Sequence, residues 1–297
     1  MCLTFGFLKG ELRLNLVVGV LGSGVMGMGI VQALLSSESV QFVLWWGRSS
    51  DATISARKRL EVSLEKRARR EGLGAAEVTL WLSKLSLLGH EFKNLKACDL
   101  VIEAITEDLD KKKELFGQFS QHIGAKVLVA SNTSSLSVTD LSMSVPNPEN
   151  FLGLHFFNPA PIMGLVEVVK GLQTSDETMD KAMAIVTSLG KTPVVVTDSP
   201  GFIVNRMLIP MINEAAAILS EKVASEEFID KAMKLGANHP MGPLALADLI
   251  GLDVCLSIMT SLFEETGDTK YRPNVILKQY VRAGFLGRKA KRGFYDY

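Results

Sequence analysis

The 297-residue chain has little cysteine, little histidine and no excess of either charge. Its three cysteines, Cys2, Cys98 and Cys255, lie far apart without a CxxC pair, a pattern typical of reduced thiols rather than of a disulfide framework. The four histidines have no zinc-binding spacing, so we expect no metal site. The 32 basic and 32 acidic residues give a formal net charge of zero, which disfavours general attraction to nucleic acid or an anionic membrane.

Long apolar runs are also missing from the sequence. No apolar stretch reaches the ~18 residues that a transmembrane helix needs. The first residues have no basic segment followed by a long apolar one, so we expect no signal peptide. With 47% hydrophobic and 22% charged residues, the composition is typical of a soluble globular protein, and we expect it to be cytoplasmic. The role of residues 1–15 stays open, because a short extra strand, an extension or a misassigned start would each fit.

A glycine-rich turn follows the first buried strand, predicted at Leu16–Leu21. In a GxGxxG motif between a strand and a helix, the first glycine makes the turn and the second lets the backbone approach a pyrophosphate. The third glycine allows close packing, and the helix N-terminus attracts the phosphates. The alternative is a glycine-rich turn that binds nothing. The context favours a nicotinamide dinucleotide, bound at Gly22, Gly24, Val25, Met26 and Gly27.

The acidic residue that usually holds the ribose 2′-hydroxyl of NAD is missing. It is expected about 20 residues after the glycines, at the end of the second strand. Here the strand Val40–Trp46 leads into Gly47, Arg48 and two serines. A guanidinium with two hydroxyls can instead bind a 2′-phosphate. One hypothesis is therefore that the cofactor is NADP(H), or that the choice is relaxed between NAD(H) and NADP(H); the alternative is that Arg48 is simply solvated.

Strands and helices alternate over the first two thirds of the chain, which predicts a mostly parallel sheet with its ligand at the carboxyl ends of the strands. Beyond the cluster Asp198-Ser199-Pro200-Gly201 the apolar period is helical throughout. We predict an α/β, Rossmann-type domain in residues 1–198, with an inserted helical pair, and an all-α substrate and dimerisation domain in residues 199–297. The broad apolar faces of the second domain predict a homodimer.

Two short apolar strands, predicted at Phe151–Phe157 and Leu165–Val169, each carry one ionisable residue, His155 and Glu167. The loop between them contains prolines and glycine, so the chain can reverse and place the strands side by side. The imidazole and the carboxylate would then lie within hydrogen-bond reach, as a general base requires. A buried ion pair with only a structural role is the alternative.

Six segments occur in a fixed order: GSGVMG, VIEAITED, ASNTSS, GLHFFNPAPIMGLVEVVKG, DSPGFIVNR and GRKAKRGFYDY. Together they closely resemble the 3-hydroxyacyl-CoA dehydrogenase family, over nearly the whole chain from about Leu16 to Tyr297. The resemblance implies an NAD(P)-dependent enzyme of fatty-acid metabolism. Such an enzyme interconverts L-3-hydroxyacyl-CoA and 3-oxoacyl-CoA, and we expect a short-chain substrate, 3-hydroxybutyryl-CoA.

The resemblance also implies roles for individual residues. His155 would be the catalytic base and Glu167 its orienting carboxylate, while Ser134 and Asn205 would hold the 3-oxygen of the substrate. Asn158 would support the substrate beside His155. The residues that would line the cofactor site are Glu107, Lys112, Ser134 and Asn158. Ser63 and Arg70, on a basic helix, fall in a looser alignment where the family contacts CoA.

The family usually has an acidic residue where this chain has Gly47-Arg48, which leaves the cofactor's identity open. Two other functions keep the same fold. One is an enzyme that acts on a free hydroxy acid or a sugar acid, and the other is a non-catalytic binding or structural protein. A non-catalytic protein is expected to lose part of the set formed by His155, Glu167, Ser134 and Asn205, yet all four are present.

Overall fold

The computed structural model describes residues 6–8, 11–88 and 92–297. The chain divides into two compact units, the first ending at Asp198 and the second comprising Ser199–Tyr297. The first unit contains an eight-stranded sheet with helices, and the second is helical. A mostly parallel α/β fold followed by an all-α region is therefore confirmed.

The strands of the first unit begin with a separate antiparallel pair, which accounts for part of residues 1–15. The remaining eight strands form one sheet in the order β10-β9-β8-β7-β6-β3-β4-β5, with the following bounds: β1 (Gly6–Leu8), β2 (Glu11–Arg13), β3 (Leu16–Leu21), β4 (Val40–Trp46), β5 (Leu85–Leu87), β6 (Leu100–Glu103), β7 (Leu128–Ser131), β8 (Phe151–Phe156), β9 (Leu165–Lys170) and β10 (Thr192–Thr197). All neighbours in the large sheet are parallel except β8 and β9.

The middle of the sheet is buried on both faces, as its nearly continuous aliphatic strands predict. Six helices belong to this unit: α1 (Val25–Leu35), α2 (Ser50–Arg70), α3 (Ala75–Ser83), α4 (Leu109–Phe119), α5 (Val138–Ser142) and α6 (Asp176–Ser188). Helix α1 buries Ile30 and Leu34 in the same core cluster as Trp45 of β4 and Leu60 of α2. Side chains at the N-caps accept backbone hydrogen bonds that start these helices, as Ser49 and Asp108 do for α2 and α4.

The second unit contains five helices and no strand: α7 (Val204–Ser220), α8 (Glu226–Gly236), α9 (Pro243–Ile250), α10 (Leu252–Thr266) and α11 (Val275–Arg282). Short 3-10 turns complete the two units: Lys93–Ala97, Ser120–His122, Pro148–Asn150, Thr269–Tyr271 and Arg288–Ala290. The apolar period over 244–260 suggests one long helix, but that expectation is wrong. The chain bends by 97° between α9 and α10. Gly251 lies at the bend with φ of 108°, which an α-helix does not allow and which glycine tolerates.

Two buried carboxylates hold the C-terminal segment of the second unit. Asp248 accepts hydrogen bonds from the backbone N–H groups of Phe294 and Tyr295, each at 2.9 Å. Asp230 accepts one from the hydroxyl of Tyr295 at 2.9 Å. A methyl group on Gly293 would overlap the carboxylate of Asp248, so the GFY sequence at the end of the chain suits this packing.

Within residues 6–8, 11–88 and 92–297, no single helix is both long and apolar enough to cross a membrane. Only α9 and α10 taken together, despite the bend between them, reach that length and apolarity.

Candidate active site

His155 and Glu167 face each other across the antiparallel strands β8 and β9. They are direct partners in the strand register, and His155 Nδ1 lies 2.7 Å from Glu167 Oε2. Both side chains are buried, with 6% of His155 and none of Glu167 exposed. The predicted proximity of the imidazole and the carboxylate is therefore found. The strands end within one residue of the predicted bounds, at Phe156 and Lys170.

The carboxylate of Glu167 fixes the orientation of the imidazole ring. An ionised carboxylate can only accept, so Nδ1 carries the proton of the 2.7 Å bond and the ring plane is held by it. The ring of Phe157 packs beside the imidazole, with the ring centroids 4.4 Å apart. The pair lies near the carboxyl end of β8, at the sheet edge where ligands bind in doubly wound α/β folds.

Residues 131–135, called here the Ser134 loop, begin at the last residue of β7. The loop is organised around the carboxylate of Glu107. Glu107 Oε1 accepts hydrogen bonds from Thr133 Oγ1 at 2.6 Å, Ser134 N at 2.7 Å and Ser135 N at 3.0 Å. Burial by itself raises the pKa of Glu107. The nearby Lys112 ammonium and the hydrogen bonds from the loop outweigh burial, so the pKa lies below its usual range. Glu107 is therefore a charged anchor for the loop.

Asn132 connects the Ser134 loop to the strand of the histidine. Its side-chain oxygen accepts the N–H of Phe156, the residue after His155, at 2.9 Å. Sequence analysis did not single out Asn132, although it lies in the ASNTSS segment. This bond therefore connects the Ser134 loop to strand β8 at the residue next to His155.

Lys112 is buried and paired with two carboxylates. We expected it to line the cofactor site, but only 1% of its side chain is exposed. Its ammonium lies 2.6 Å from Glu103 Oε1 and 3.3 Å from Glu107 Oε2. An ammonium that is buried and held by two carboxylates has almost no surface exposed to a ligand. Glu103, which sequence analysis missed, is the second carboxylate.

The glycine turn of residues 22–27 connects β3 to α1 as predicted, with Val25 as the first residue of the helix and 69% exposed, and Met26 half-buried. Gly22 has φ of 140°, and its carbonyl oxygen accepts the indole N–H of Trp45 at 2.7 Å. A methyl group on Gly27 would overlap that same carbonyl, whereas one on Gly24 would meet no atom within 4 Å. Gly27 is therefore required for packing, while Gly24 borders open space.

This contrast predicts different effects of alanine at the two glycines. Gly24→Ala is expected to leave the melting temperature unchanged and to weaken dinucleotide binding about tenfold, or ~1.4 kcal/mol, because its methyl occupies the space a pyrophosphate approaches. Gly27→Ala is expected to lower the melting temperature itself. Thermal melts and equilibrium dialysis of both variants check this. Normal dinucleotide affinity in Gly24→Ala would mean that phosphates do not bind at this turn.

The end of β4 is crowded around Gly47. Gly47 is buried, and a methyl group there would lie 2.6 Å from Ser23 Oγ and overlap the hydroxyl of Thr53. Arg48, Ser49 and Ser50 are exposed, and Ser50 is the first residue of α2. A larger side chain at Gly47 would therefore require the side chains of Ser23 and Thr53 to shift.

The remaining predicted residues lie in several places. Asn158 is exposed in the loop after β8, and its peptide bond to Pro159 is cis. Ser63 turns toward α1 and donates its hydroxyl to Gln32 Oε1 at 3.0 Å, whereas Arg70 is exposed at the end of α2. Asn205 lies in the first turn of α7 in the second unit and is 9% exposed.

Neither a metal cluster nor a reactive thiol is found in the described ranges. No group of three or more His, Cys, Asp or Glu residues there can hold a metal ion. Cys98 and Cys255 are buried, and burial raises the pKa of each thiol to about 12. Both thiols therefore stay protonated near neutral pH.

A mostly parallel sheet with a GxGxxG turn after its central strand defines a Rossmann NAD-binding domain. A helical unit follows this domain, and the domain itself holds a histidine–carboxylate pair. Both features are typical of dehydrogenases that combine a Rossmann domain with a helical C-terminal domain. Residues 17–199 match the family model of the 3-hydroxyacyl-CoA dehydrogenase NAD binding domain, and residues 201–297 match that of the C-terminal domain. The chain belongs to the 3-hydroxyacyl-CoA dehydrogenase family, whose members are oxidoreductases.

Relatives in other organisms align over almost their whole length. The 3-hydroxybutyryl-CoA dehydrogenase of Clostridioides difficile is 48% identical over 94% of this chain and 99% of its own. A probable 3-hydroxybutyryl-CoA dehydrogenase of Bacillus subtilis is 45% identical over 94% and 96%. The crystal structure of (S)-3-hydroxybutyryl-CoA dehydrogenase from Ralstonia eutropha superposes with a TM-score of 0.89 at 44% identity, covering 95% of this chain and 99% of that one.

Proposed function

We propose that this enzyme interconverts a short-chain L-3-hydroxyacyl-CoA, 3-hydroxybutyryl-CoA in the first instance, and the 3-oxoacyl-CoA by hydride transfer to or from NAD(P). The observation that carries the proposal is the buried 2.7 Å pair of His155 and Glu167 at the ligand-binding edge of a dinucleotide fold. The names of the relatives from C. difficile and B. subtilis support the substrate.

In the proposed mechanism His155 moves the proton while a bound nicotinamide supplies the hydride acceptor or donor. With Nδ1 held by Glu167, the Nε2 atom takes the proton of the 3-hydroxyl as the alcohol is oxidised. The imidazolium that forms is stabilised by the carboxylate at 2.7 Å. In reduction the same proton returns to the oxygen. Ser134 donates a hydrogen bond to that oxygen as its charge develops.

The CoA arm is proposed to bind along the exposed basic face of α2. Arg59, Lys66 and Arg70 are exposed there and recur at helical spacing, so their charges lie on neighbouring parts of one surface. Ser63 lies between Arg59 and Lys66 in sequence. Its hydrogen bond to Gln32 connects α2 to α1. Energy gained from this distant arm can help to position the acyl end.

The first unit, which ends at residue 198, is proposed to bind the dinucleotide. The second unit is proposed to bind the substrate and to form the dimer. The homodimer is supported by large apolar side chains exposed in the second unit, Met207 at 72%, Phe228 at 66% and Leu235 at 77%. Light scattering on the purified protein gives the molar mass. A monomer at micromolar concentration would contradict this part of the proposal.

The activity is tested by following oxidation of NADH and of NADPH with acetoacetyl-CoA and, in parallel, with free acetoacetate. Turnover with acetoacetyl-CoA alone supports a CoA-dependent enzyme. Turnover with the free acid at equal kcat/KM would instead favour a hydroxy-acid dehydrogenase. No turnover with either substrate and either cofactor would contradict the proposal.

We further propose that the enzyme accepts NADP(H), alone or beside NAD(H). Arg48 with the neighbouring serines at the N-terminus of α2 offers cationic and hydroxyl donors for a 2′-phosphate. Gly47 supplies no carboxylate that would repel that phosphate.

Arg48→Ala is expected to raise KM for NADPH about tenfold, the loss of one charge-assisted contact of ~1.4 kcal/mol, and to change KM for NADH by less than about twofold. Lys58→Ala, which removes an exposed cation further along α2, is the matched control and should leave both values unchanged. Steady-state kinetics with the two cofactors measure the effect. A strong preference of the wild type for NADH would contradict this assignment.

A further inference from the structure

Glu103 is a buried carboxylate for which the mechanism above has no use. It is the last residue of β6 and is completely buried. Strand β6 lies between β3 and β7 in the sheet, and Glu103 is in register with Leu21 on one side and Ser131 on the other. It therefore lies between the glycine turn, which follows Leu21, and the Ser134 loop, which begins at Ser131.

Both oxygens of Glu103 are fully occupied by donors. Oε1 accepts the N–H of Ile105 at 2.7 Å and the ammonium of Lys112 at 2.6 Å. Oε2 accepts the same ammonium at 2.8 Å and the hydroxyl of Ser131 at 2.6 Å. A buried ion pair adds little net stability over well-packed apolar side chains, so stability alone does not account for it.

The contacts of Oε1 lead to the glycine turn. The bond to Ile105 folds the chain back directly after β6, and Ala104 N donates to the carbonyl of Leu21 at 2.7 Å. The carbonyl of Ala104 packs so closely against Gly22 that a methyl group on that glycine would overlap it. The segment held by Glu103 thus forms the wall behind the first glycine of the turn.

The contacts of the ammonium and of Oε2 lead to the Ser134 loop. Lys112 lies between Glu103 and Glu107, and Glu107 accepts two N–H groups and three hydroxyls of the loop. Ser131 Oγ, which donates to Glu103, accepts the N–H of Thr133 at 3.3 Å. Two separate routes therefore connect one carboxylate to the loop.

We propose that Glu103 is a positioning residue that fixes the glycine turn and the Ser134 loop relative to each other, so that the cofactor meets a preorganised site. The proposal rests on the proposed function in so far as that function assigns Ser134 to the site. Glu103 does not touch the cofactor. It acts through Ala104 and Ile105 on one side and through Lys112 and Glu107 on the other.

Glu103→Gln keeps the size of the side chain but removes the charge and brings an amide N–H₂ against the Ser131 hydroxyl or the Lys112 ammonium. We expect the dissociation constants of NADH and NADPH to rise about tenfold, which corresponds to the loss of about one hydrogen bond to a charged group. A merely structural role would lower the melting temperature and the folded fraction without changing affinity per folded molecule.

Asp99→Asn is the matched control. Asp99 lies just before the same strand at its other end, where its carboxylate accepts the N–H of Val17 at 2.9 Å. It is expected to change the melting temperature but neither dissociation constant. Direct binding, followed by equilibrium dialysis, is the readout because it does not depend on turnover. If the wild type binds the cofactor but shows no turnover with acetoacetyl-CoA, that result contradicts the proposed function and not this inference.

Ser131→Ala keeps the inference testable where Glu103→Gln does not fold, and a double-mutant cycle adds a second test where it does. Ser131→Ala preserves every charge and should weaken cofactor binding about threefold, the loss of one hydrogen bond. In a double-mutant cycle, Glu103→Gln should add little to Glu107→Gln, because both act on the same loop. Unchanged affinity in Ser131→Ala, or fully multiplicative effects in the cycle, would overturn the proposal, as would a Glu103→Gln protein that binds both cofactors normally.

Discussion

Replacing His155 by alanine is expected to lower kcat with acetoacetyl-CoA by about 10²- to 10⁴-fold, the range that general acid–base catalysis contributes. In the proposed mechanism the imidazole, held by Glu167 at 2.7 Å, is the proton donor in this direction. The dissociation constant of the cofactor should change little, because the glycine turn lies on a different strand. Stopped-flow reduction and cofactor titration separate the two quantities.

The control for that experiment is His122→Ala, which removes a half-buried histidine that packs near Phe92 in the same unit. It should keep full kcat. Added imidazole should restore part of the activity of His155→Ala, because the missing group is a proton carrier and the cavity left behind can admit it. A kcat close to that of the wild type in His155→Ala would remove the proposed role of the histidine.

The sheet could be predicted because its signals are local. Buried strands of aliphatic residues, a glycine turn and capped helices recur along the first unit, and each can be recognised within a short window. The break at Gly251 could not be found in this way, since apolar residues keep a helical period through it. Only the backbone angle, φ of 108°, distinguishes this glycine from one inside a helix.

The candidate site was predictable in part, for a related reason. The proximity of His155 and Glu167 followed from a hairpin, where twelve residues separate two partners of adjacent strands. The direction of Ser63 toward Gln32 did not follow, because sequence alone does not say which flank of an amphipathic helix meets a neighbouring helix. Glu103 was overlooked although a charge inside the apolar run LVIEA is itself a signal. A buried charge needs a partner, and here the partner is Lys112, nine residues later.

Glu167→Gln isolates the contribution of the charge from that of the hydrogen bond. The glutamine oxygen can still accept the proton on Nδ1, so the orientation of the ring is kept and the KM of acetoacetyl-CoA should change by less than about threefold. The carboxylate is fully buried, so its attraction for the imidazolium is not screened by water. Changing a charge-assisted bond into a neutral one costs about 2 kcal/mol, which is roughly 30-fold in kcat.

The matched control is Glu149→Gln, which neutralises an exposed carboxylate shortly before β8 and should leave kcat unchanged. An effect of Glu167→Gln on KM alone would show that the carboxylate shapes the binding site without stabilising a charge that forms during the reaction. Combining Glu167→Gln with His155→Ala decides between these roles. Without the imidazole there is no cation to stabilise, so the second substitution should then cost almost nothing in kcat, whereas an independent binding role would add its full effect.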